Sequence, residues 1–387
     1  MANKDYSIEI SSWRARIAAL ESQDMDHPRL RGMPEPGVWA IVLAGGNGER
    51  FKELAEKLYG YPRCKQYCAI LGGRSMIQHT LARAEYLIPP ERTLVVVSED
   101  HREEVLKQLA DRHDRTILFQ PQNRDTAAGV LLPLTWIARR DPEAVVVILP
   151  SDHFVLEEAR FMAYVLRAKR LVEMTQSLCV LLGMDAETPE TSYGWIEPLN
   201  LAERTGVLRV KGFYEKPAPP MAECLYRSGC LWNTLVMVAR AATLLQMYKE
   251  HLPDVYRCFH RLAPLLGTVE EKDALEEAYA TMPAISISHG LLQRNPANLR
   301  ALRVSGVLWS DWGSPNRVRQ TLERIGRLYE LASRLAERGY KPEAVLGETG
   351  DRSLANVRVA KNFLRGNSSE SEYFDRQSSR SEDQRRS

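Results

Sequence analysis

The glycines and the arginine that follow the first apolar run of this chain have the spacing of a phosphate site. The segment VWAIVLAGGNGER runs from Val38 into Gly45, Gly46 and Gly48 and closes on Arg50. Its apolar, β-branched start predicts a buried strand. Glycines let the backbone turn sharply and come close to a ligand. Successive amides in such a turn can aim their N–H groups at an anion. Arg50 adds a guanidinium fork suited to phosphate. No Gly-Lys-Ser/Thr follows, so this is not a P-loop, and Phe51 stands where a dinucleotide fingerprint needs its third glycine. A glycine-rich strand-to-helix turn ending on a surface arginine is the competing reading, and the rest of the chain decides.

Other residues suggest chemistry only in context. Pro150-Ser151-Asp152-His153 follows the apolar run AVVVIL, which delivers Asp152 to the end of a strand. A carboxylate there suits a hard cation, and magnesium takes one or two protein carboxylates with phosphates and water. The same aspartate could instead cap a helix. Trp309-Ser310-Asp311-Trp312-Gly313-Ser314 offers a second carboxylate on a loop. Lys65, in Arg63-Cys64-Lys65-Gln66, follows the glycine loop by fifteen residues from Arg50. The motifs around Tyr193-Gly194, Glu215-Lys216 and Trp232-Asn233 are unremarkable taken singly.

The elements that must position these groups alternate. Strand-like runs lie at 38–43, 93–98, 116–119 and 144–149, with helix-like stretches at 75–87, 103–111 and 126–140 between them. Apolar strands separated by amphipathic helices predict a Rossmann-like α/β fold, a mostly parallel sheet covered on both faces. Ligands then gather at the carboxyl ends of the strands, which places residues 45–50 and Asp152 on one rim. Further strands are expected at 178–183, 208–214 and 299–304, and a helix at 239–249. Ser314-Pro315 reads as a cap and first position of a helix running to about residue 338.

The chain of 387 residues carries a net charge of +2, so no global basic field points to nucleic acid or a membrane surface. Its apolar stretches stop well short of a span of ~20 residues. Six scattered cysteines make no C-x-x-C pair, and no apolar signal opens the sequence, so the expectation is a cytoplasmic protein with reduced thiols. Residues 1–36 read as an extension with a short helix around Trp13, Ile17 and Leu20, 37–314 as the main domain, 315–364 as a C-terminal helical part, and the Ser-, Glu- and Arg-rich stretch 365–387 as a disordered tail.

The ordered succession LAGGNGER, CKQY, QPQNRDTAAG, PSDH, SYGWI, FYEKP, LWN and WSDWGS resembles the sugar-phosphate nucleotidyltransferases, most of all the mannose-1-phosphate guanylyltransferases. The likeness covers roughly residues 38–314. It implies the nucleotide-diphospho-sugar transferase type of fold and a reaction in which a sugar 1-phosphate, such as mannose 1-phosphate, attacks the α-phosphorus of an NTP, GTP by the closer resemblance, releasing pyrophosphate. By similarity, Gly45, Gly46 and Gly48 would meet the nucleotide, Arg50 and Lys65 its phosphates, and Pro121, Arg124 and Thr126 the base. Asp152 and Asp311 would hold Mg²⁺. Tyr193, Gly194, Glu215 and Asn233 would contact the sugar, and Lys216 its phosphate. A homo-oligomer is compatible with the resemblance.

The chain also departs from the family pattern. Residues 51–64 form a longer, more charged insertion, Arg124-Asp125-Thr126-Ala127-Ala128 replaces Arg-Asn-Thr-Ala-Pro, Leu235 stands at a family glycine, and Ser288 replaces an aspartate. These changes face the base and the acceptor, so altered specificity is expected, with another NTP or sugar phosphate, or a non-catalytic nucleotide-sugar sensor, as alternatives.

Overall fold

Four apolar segments of the chain form one side of a sheet. In the computed structural model, which describes residues 35–200 and 206–347, these are β1 (Val38–Leu43), β2 (Thr93–Ser98), β3 (Ile117–Gln120) and β4 (Val145–Pro150). The expected helix near Trp13 and the tail at 365–387 lie outside the described residues.

These four strands pair in parallel in the order β3-β2-β1-β4. Successive side chains point to opposite faces of a strand, and each set enters a separate core. Trp39, Ile41, Val146 and Ile148 pack against helices Asp125–Arg140, Ala241–His251 and Pro253–Leu262. Val38, Ala40, Val42, Val145, Val147 and Leu149 pack against helices Met76–Ala84 and Glu158–Met174. Each fully buried Val, Leu or Ile stabilises by roughly 1.5–3 kcal/mol, which is why these strands carry no polar alternation.

The rest of the sheet is mixed. β5 (Phe154–Val155) leaves to pair with β11 (Trp309–Ser310) in a small ribbon. β6 (Cys179–Asp185), β7 (Gly194–Pro198), β8 (Val207–Glu215), β9 (Leu231–Arg240) and β10 (Leu299–Val304) complete nine strands in the order β3-β2-β1-β4-β9-β6-β10-β8-β7. β10 runs parallel to β6, while β9 enters antiparallel between β4 and β6. The Rossmann-like α/β expectation holds, with parallel pairing in the first half and antiparallel hairpins in the second. Strands β7 and β9 are additions to the elements expected from sequence.

The register sets the site. Leu43 pairs with Pro150, and the Ser151 amide donates to the Leu43 carbonyl at 3.1 Å. The glycine loop and Asp152 therefore leave adjacent parallel strands side by side at the carboxyl edge, as expected.

The described chain divides into two compact units, residues 35–49, 64–69 and 74–311 in the first and 50–63, 70–73 and 312–347 in the second. The second unit holds the helix Lys52–Tyr59 and the C-terminal helices Pro315–Arg324, Leu328–Glu337 and Pro342–Leu346. The charged insertion after Arg50 thus shares a unit with the C-terminal helices, and Arg63 lies over the Tyr59 ring at 4.3 Å. Ser314 Oγ caps its helix by accepting from the Arg317 amide, as expected. The single helix anticipated to about 338 is instead broken after Arg324, where Gly326 takes φ 69° and ends the first run. Among the described residues no helix is long and apolar enough to cross a membrane.

Candidate active site

A cavity of about 590 Å³ opens at the carboxyl edge of β1 and β4, within the first unit. That volume suits a small-molecule ligand of nucleotide size. Gly45, Gly46, Gly48, Thr126 and Asp152 line it, all expected from sequence. A Cβ on Gly45 would lie 2.8 Å from Gln120 Nε2, so a larger residue here would have to displace the buried Gln120 side chain. Gln66 holds the loop from the other side, its amide donating to the carbonyls of Ala44 at 3.0 Å and Gly46 at 2.7 Å.

Lys65 is the hub. The short helical turn Lys65–Tyr67 buries its side chain, leaving the residue 5% exposed. Its ammonium lies 2.7 Å from Asp152 Oδ2 and donates to the Asp311 backbone carbonyl at 2.5 Å. The two aspartates, 159 positions apart in sequence, therefore meet on one cation. Tyr193 completes the group, its hydroxyl donating to Asp311 Oδ1 at 2.9 Å.

Competing influences act on the Asp152 carboxyl. Burial, the largest, works against its charge, as does the neighbouring Asp311. The Lys65 ammonium, the His153 imidazole and the Lys65 hydrogen bond outweigh them and hold its pKa below the ordinary carboxylate value. Burial pushes the His153 imidazole below its ordinary value, more than the Asp152 carboxylate raises it. Arg83, which sequence reading missed, is buried beneath this corner. It pairs with Glu158 at 3.3 Å and donates to the His153 carbonyl at 3.3 Å.

An aromatic chain leads away from the carboxylates. His153 meets Trp309 edge-on at 5.2 Å, Trp309 meets Tyr193 at 5.4 Å, and Tyr193 meets Trp232 at 5.0 Å. Along it, His153 Nδ1, Trp309 Nε1, Trp232 Nε1 and Asn233 Oδ1 are buried without a hydrogen-bond partner. Buried polar atoms are normally satisfied, so four in one neighbourhood leave this corner incompletely paired. Gly194, Glu215 and Asn233 come together here. A Cβ on Gly194 would sit 2.8 Å from Glu215 Oε2 and 3.4 Å from Asn233 Cβ. Lys216, 61% exposed at its side chain, lies 3.6 Å from Glu215 Oε1, and its amide donates to the Tyr193 carbonyl.

Of the residues expected at the nucleotide, Arg124, Pro121, Arg50 and Lys65 do not line the cavity, and neither do Asp311, Tyr193, Gly194, Glu215, Lys216 and Asn233. The Arg124 guanidinium donates to the carbonyls of Tyr279 at 2.6 Å and Ala280 at 3.2 Å and to Gln122, so it fastens the loop before helix Asp125–Arg140. Pro121 is half-buried in the same loop. Arg50 is exposed and belongs to the second unit. Leu235 lines the cavity with φ 58°, a conformation natural to glycine.

The donor set fits a hard divalent cation. Asp152 and Asp311 offer two carboxylates and no soft ligand, and magnesium leaves its remaining positions to phosphates and water. Among the described residues no group of three or more His, Cys, Asp or Glu could hold a metal without such help.

Fold and site together define an α/β protein whose cavity opens at the carboxyl edge of its parallel strands. Residues 39–325 match the nucleotidyl transferase family, and the chain belongs to that family. It is 32% identical over 280 residues to the alginate biosynthesis protein AlgA of Pseudomonas syringae pv. tomato, covering 70% of this chain and 56% of that protein. It is 28% identical over 291 residues to the mannose-1-phosphate guanylyltransferase of Escherichia coli K12, covering 73% and 59%. The matches thus span little more than half the length of these relatives. A crystal structure described as mannose-1-phosphate geranyltransferase from Thermus thermophilus superposes with TM-score 0.64 at 28% identity, covering 74% of this chain and 79% of that one.

Proposed function

We propose that this protein is a Mg²⁺-dependent nucleotidyltransferase that moves a nucleoside monophosphate from an NTP, GTP by its relatives' names, to a sugar 1-phosphate such as mannose 1-phosphate. The observation that carries the reading is the Lys65 ammonium held between the Asp152 carboxylate and the Asp311 backbone carbonyl, with Asp152 lining the glycine-loop cavity.

An acceptor phosphate oxygen bonds to the α-phosphorus as the bond from that phosphorus to the bridging oxygen breaks. The electron pair leaves with pyrophosphate. No protein nucleophile is required, because positioning and electrostatics suffice for phosphoryl chemistry of this kind. The difficulty is repulsion. Two unit charges ~4 Å apart repel by about 4 kcal/mol at an effective dielectric near 20, and a triphosphate facing a phosphomonoester multiplies that.

Gly45, Gly46, Gly48 and Thr126 cradle the nucleotide, while Arg124 and Pro121 hold the base-side loop in place. Lys65 neutralises charge at the α-phosphate, and Arg50 would serve the β- and γ-phosphates. Asp152 and Asp311 would hold Mg²⁺, which when bound neutralises phosphate charge. Tyr193 orients Asp311. Gly194, Glu215 and Asn233 receive the sugar, and Lys216 its phosphate.

A panel of NTPs against sugar 1-phosphates, read by pyrophosphate release, tests the proposal. Magnesium-dependent release requiring both substrates supports it, and no release with any pair removes it. A non-mannose acceptor is the second reading, favoured by Leu235 lining the cavity at the family's glycine position.

A further inference from the structure

We infer that Leu235 is the selectivity wall of the acceptor side, so that this chain prefers a sugar 1-phosphate presenting C–H or methyl surface, rather than a hydroxyl, toward the bulge of β9. The inference rests on the nucleotidyl-transfer reading and deepens it by naming the acceptor class.

The backbone at Leu235 is imposed by its surroundings. β6 pairs Leu181 with Met237 and Gly183 with Asn233, so Thr234, Leu235 and Val236 stand opposite the single residue Leu182. Thr234 is buried and locks this bulge. Its hydroxyl donates to the Leu182 carbonyl at 2.7 Å and accepts from the Val236 amide at 3.2 Å. Leu235 is left at φ 58°, where a branched side chain is disfavoured and glycine is at ease. Strain of this sort persists where the surrounding structure enforces it and is concentrated at ligand sites.

The side chain also stands in a telling place. It is half-buried and lines the cavity together with Asp152 and Thr126. Two residues earlier, Asn233 offers its unpartnered Oδ1 beside Gly194 and Glu215. Leu235 thus lines the cavity two residues along β9 from the Asn233 cluster, partly packed against the core on the same side. Its side chain has no donor or acceptor. A sugar hydroxyl held against it would lose water and gain no partner, whereas a deoxy or methyl carbon gains apolar contact. Discrimination of this type reaches about ten- to hundredfold.

The test uses the full chain and mannose 1-phosphate beside its monodeoxy derivatives, with kcat/KM measured for the native protein, Leu235→Gly and Leu235→Asn. The native protein is expected to favour at least one deoxy derivative over mannose 1-phosphate by about tenfold or more. Both variants should lose that preference. Glycine removes the wall, and asparagine keeps comparable bulk, tolerates positive φ and supplies hydrogen-bond partners. One ranking shared by all three proteins overturns the inference, as does a native ranking with mannose 1-phosphate first. If the native protein turns over nothing, ligand-induced shifts in Tm with the same panel decide. A deoxy preference that disappears in the variants upholds the inference and sinks only the catalytic reading. A preference unaffected by residue 235, or no shift with any sugar phosphate, sinks the inference itself. Should one variant not fold, the other carries the comparison.

Discussion

Replacing Lys65 by methionine separates a catalytic cation from a merely structural ion pair. The ammonium is buried and lies 2.7 Å from Asp152 Oδ2. Removing one member of a fully buried pair costs about 3–5 kcal/mol, because the abandoned charge has no water. The Asp152 side chain is 35% exposed, so water recovers part of this. A stability loss of about 1–3 kcal/mol is the reasoned expectation. The double variant Lys65→Met with Asp152→Asn leaves no abandoned charge and should regain most of that stability. Turnover should behave differently. A preorganised charge acting on the transition state contributes about 2.7–4 kcal/mol, or 10²–10³ in kcat. Lys65→Met should lose that much, and the double variant should regain none of it. Urea denaturation gives the stability cycle, and pyrophosphate release gives the rates. Turnover within a few-fold of native in Lys65→Met, or turnover restored in the double variant, would refute the assignment and leave Lys65 a structural residue.

The remaining groups give sharper partitions between the two substrates. Gly45→Ala places a methyl 2.8 Å from Gln120 Nε2, so KM for the NTP should rise about tenfold or more while KM for the sugar phosphate stays put; equal effects on both would contradict the loop's assignment. Gly194→Ala drives a methyl toward Glu215 and Phe213, and steady-state kinetics should show the mirror image, with the acceptor KM raised and the NTP KM unchanged. Tyr193→Phe removes the hydrogen bond to Asp311, worth about 1 kcal/mol; kcat should fall roughly fivefold and the apparent Mg²⁺ requirement should rise, and a variant indistinguishable from native in a magnesium titration would argue against a positioning role.

The parts of this fold legible in sequence are those decided locally. β1 and β2 occupy the expected residues because each is a short apolar run, and β10 because its Leu, Ala and Val are interleaved with half-buried arginines. β9 was not legible as a strand. Its bulge at Thr234–Val236 breaks the alternation, and nothing local says that it inserts between β4 and β6. The shared rim of the glycine loop and Asp152 could be derived from the parallel order alone. The meeting of Asp152, Asp311 and Lys65 could not, since it depends on contacts between residues far apart in the chain, and only the resemblance grouped them. Arg83 escaped notice because an arginine on an amphipathic helix reads as solvated surface, whereas here Glu158 and the His153 carbonyl receive it inside. Arg124 is the converse case. The resemblance implies a base contact for it, yet the carbonyls of Tyr279 and Ala280 engage its guanidinium.

The central claim is that cationic groups let two phosphoryl centres meet directly, with no covalent protein intermediate. Exchange of labelled pyrophosphate into NTP measures this most directly. The account predicts label in the NTP only when both a nucleotide sugar and Mg²⁺ are supplied. Label appearing with NTP and pyrophosphate alone, or no label with any nucleotide sugar, would contradict it.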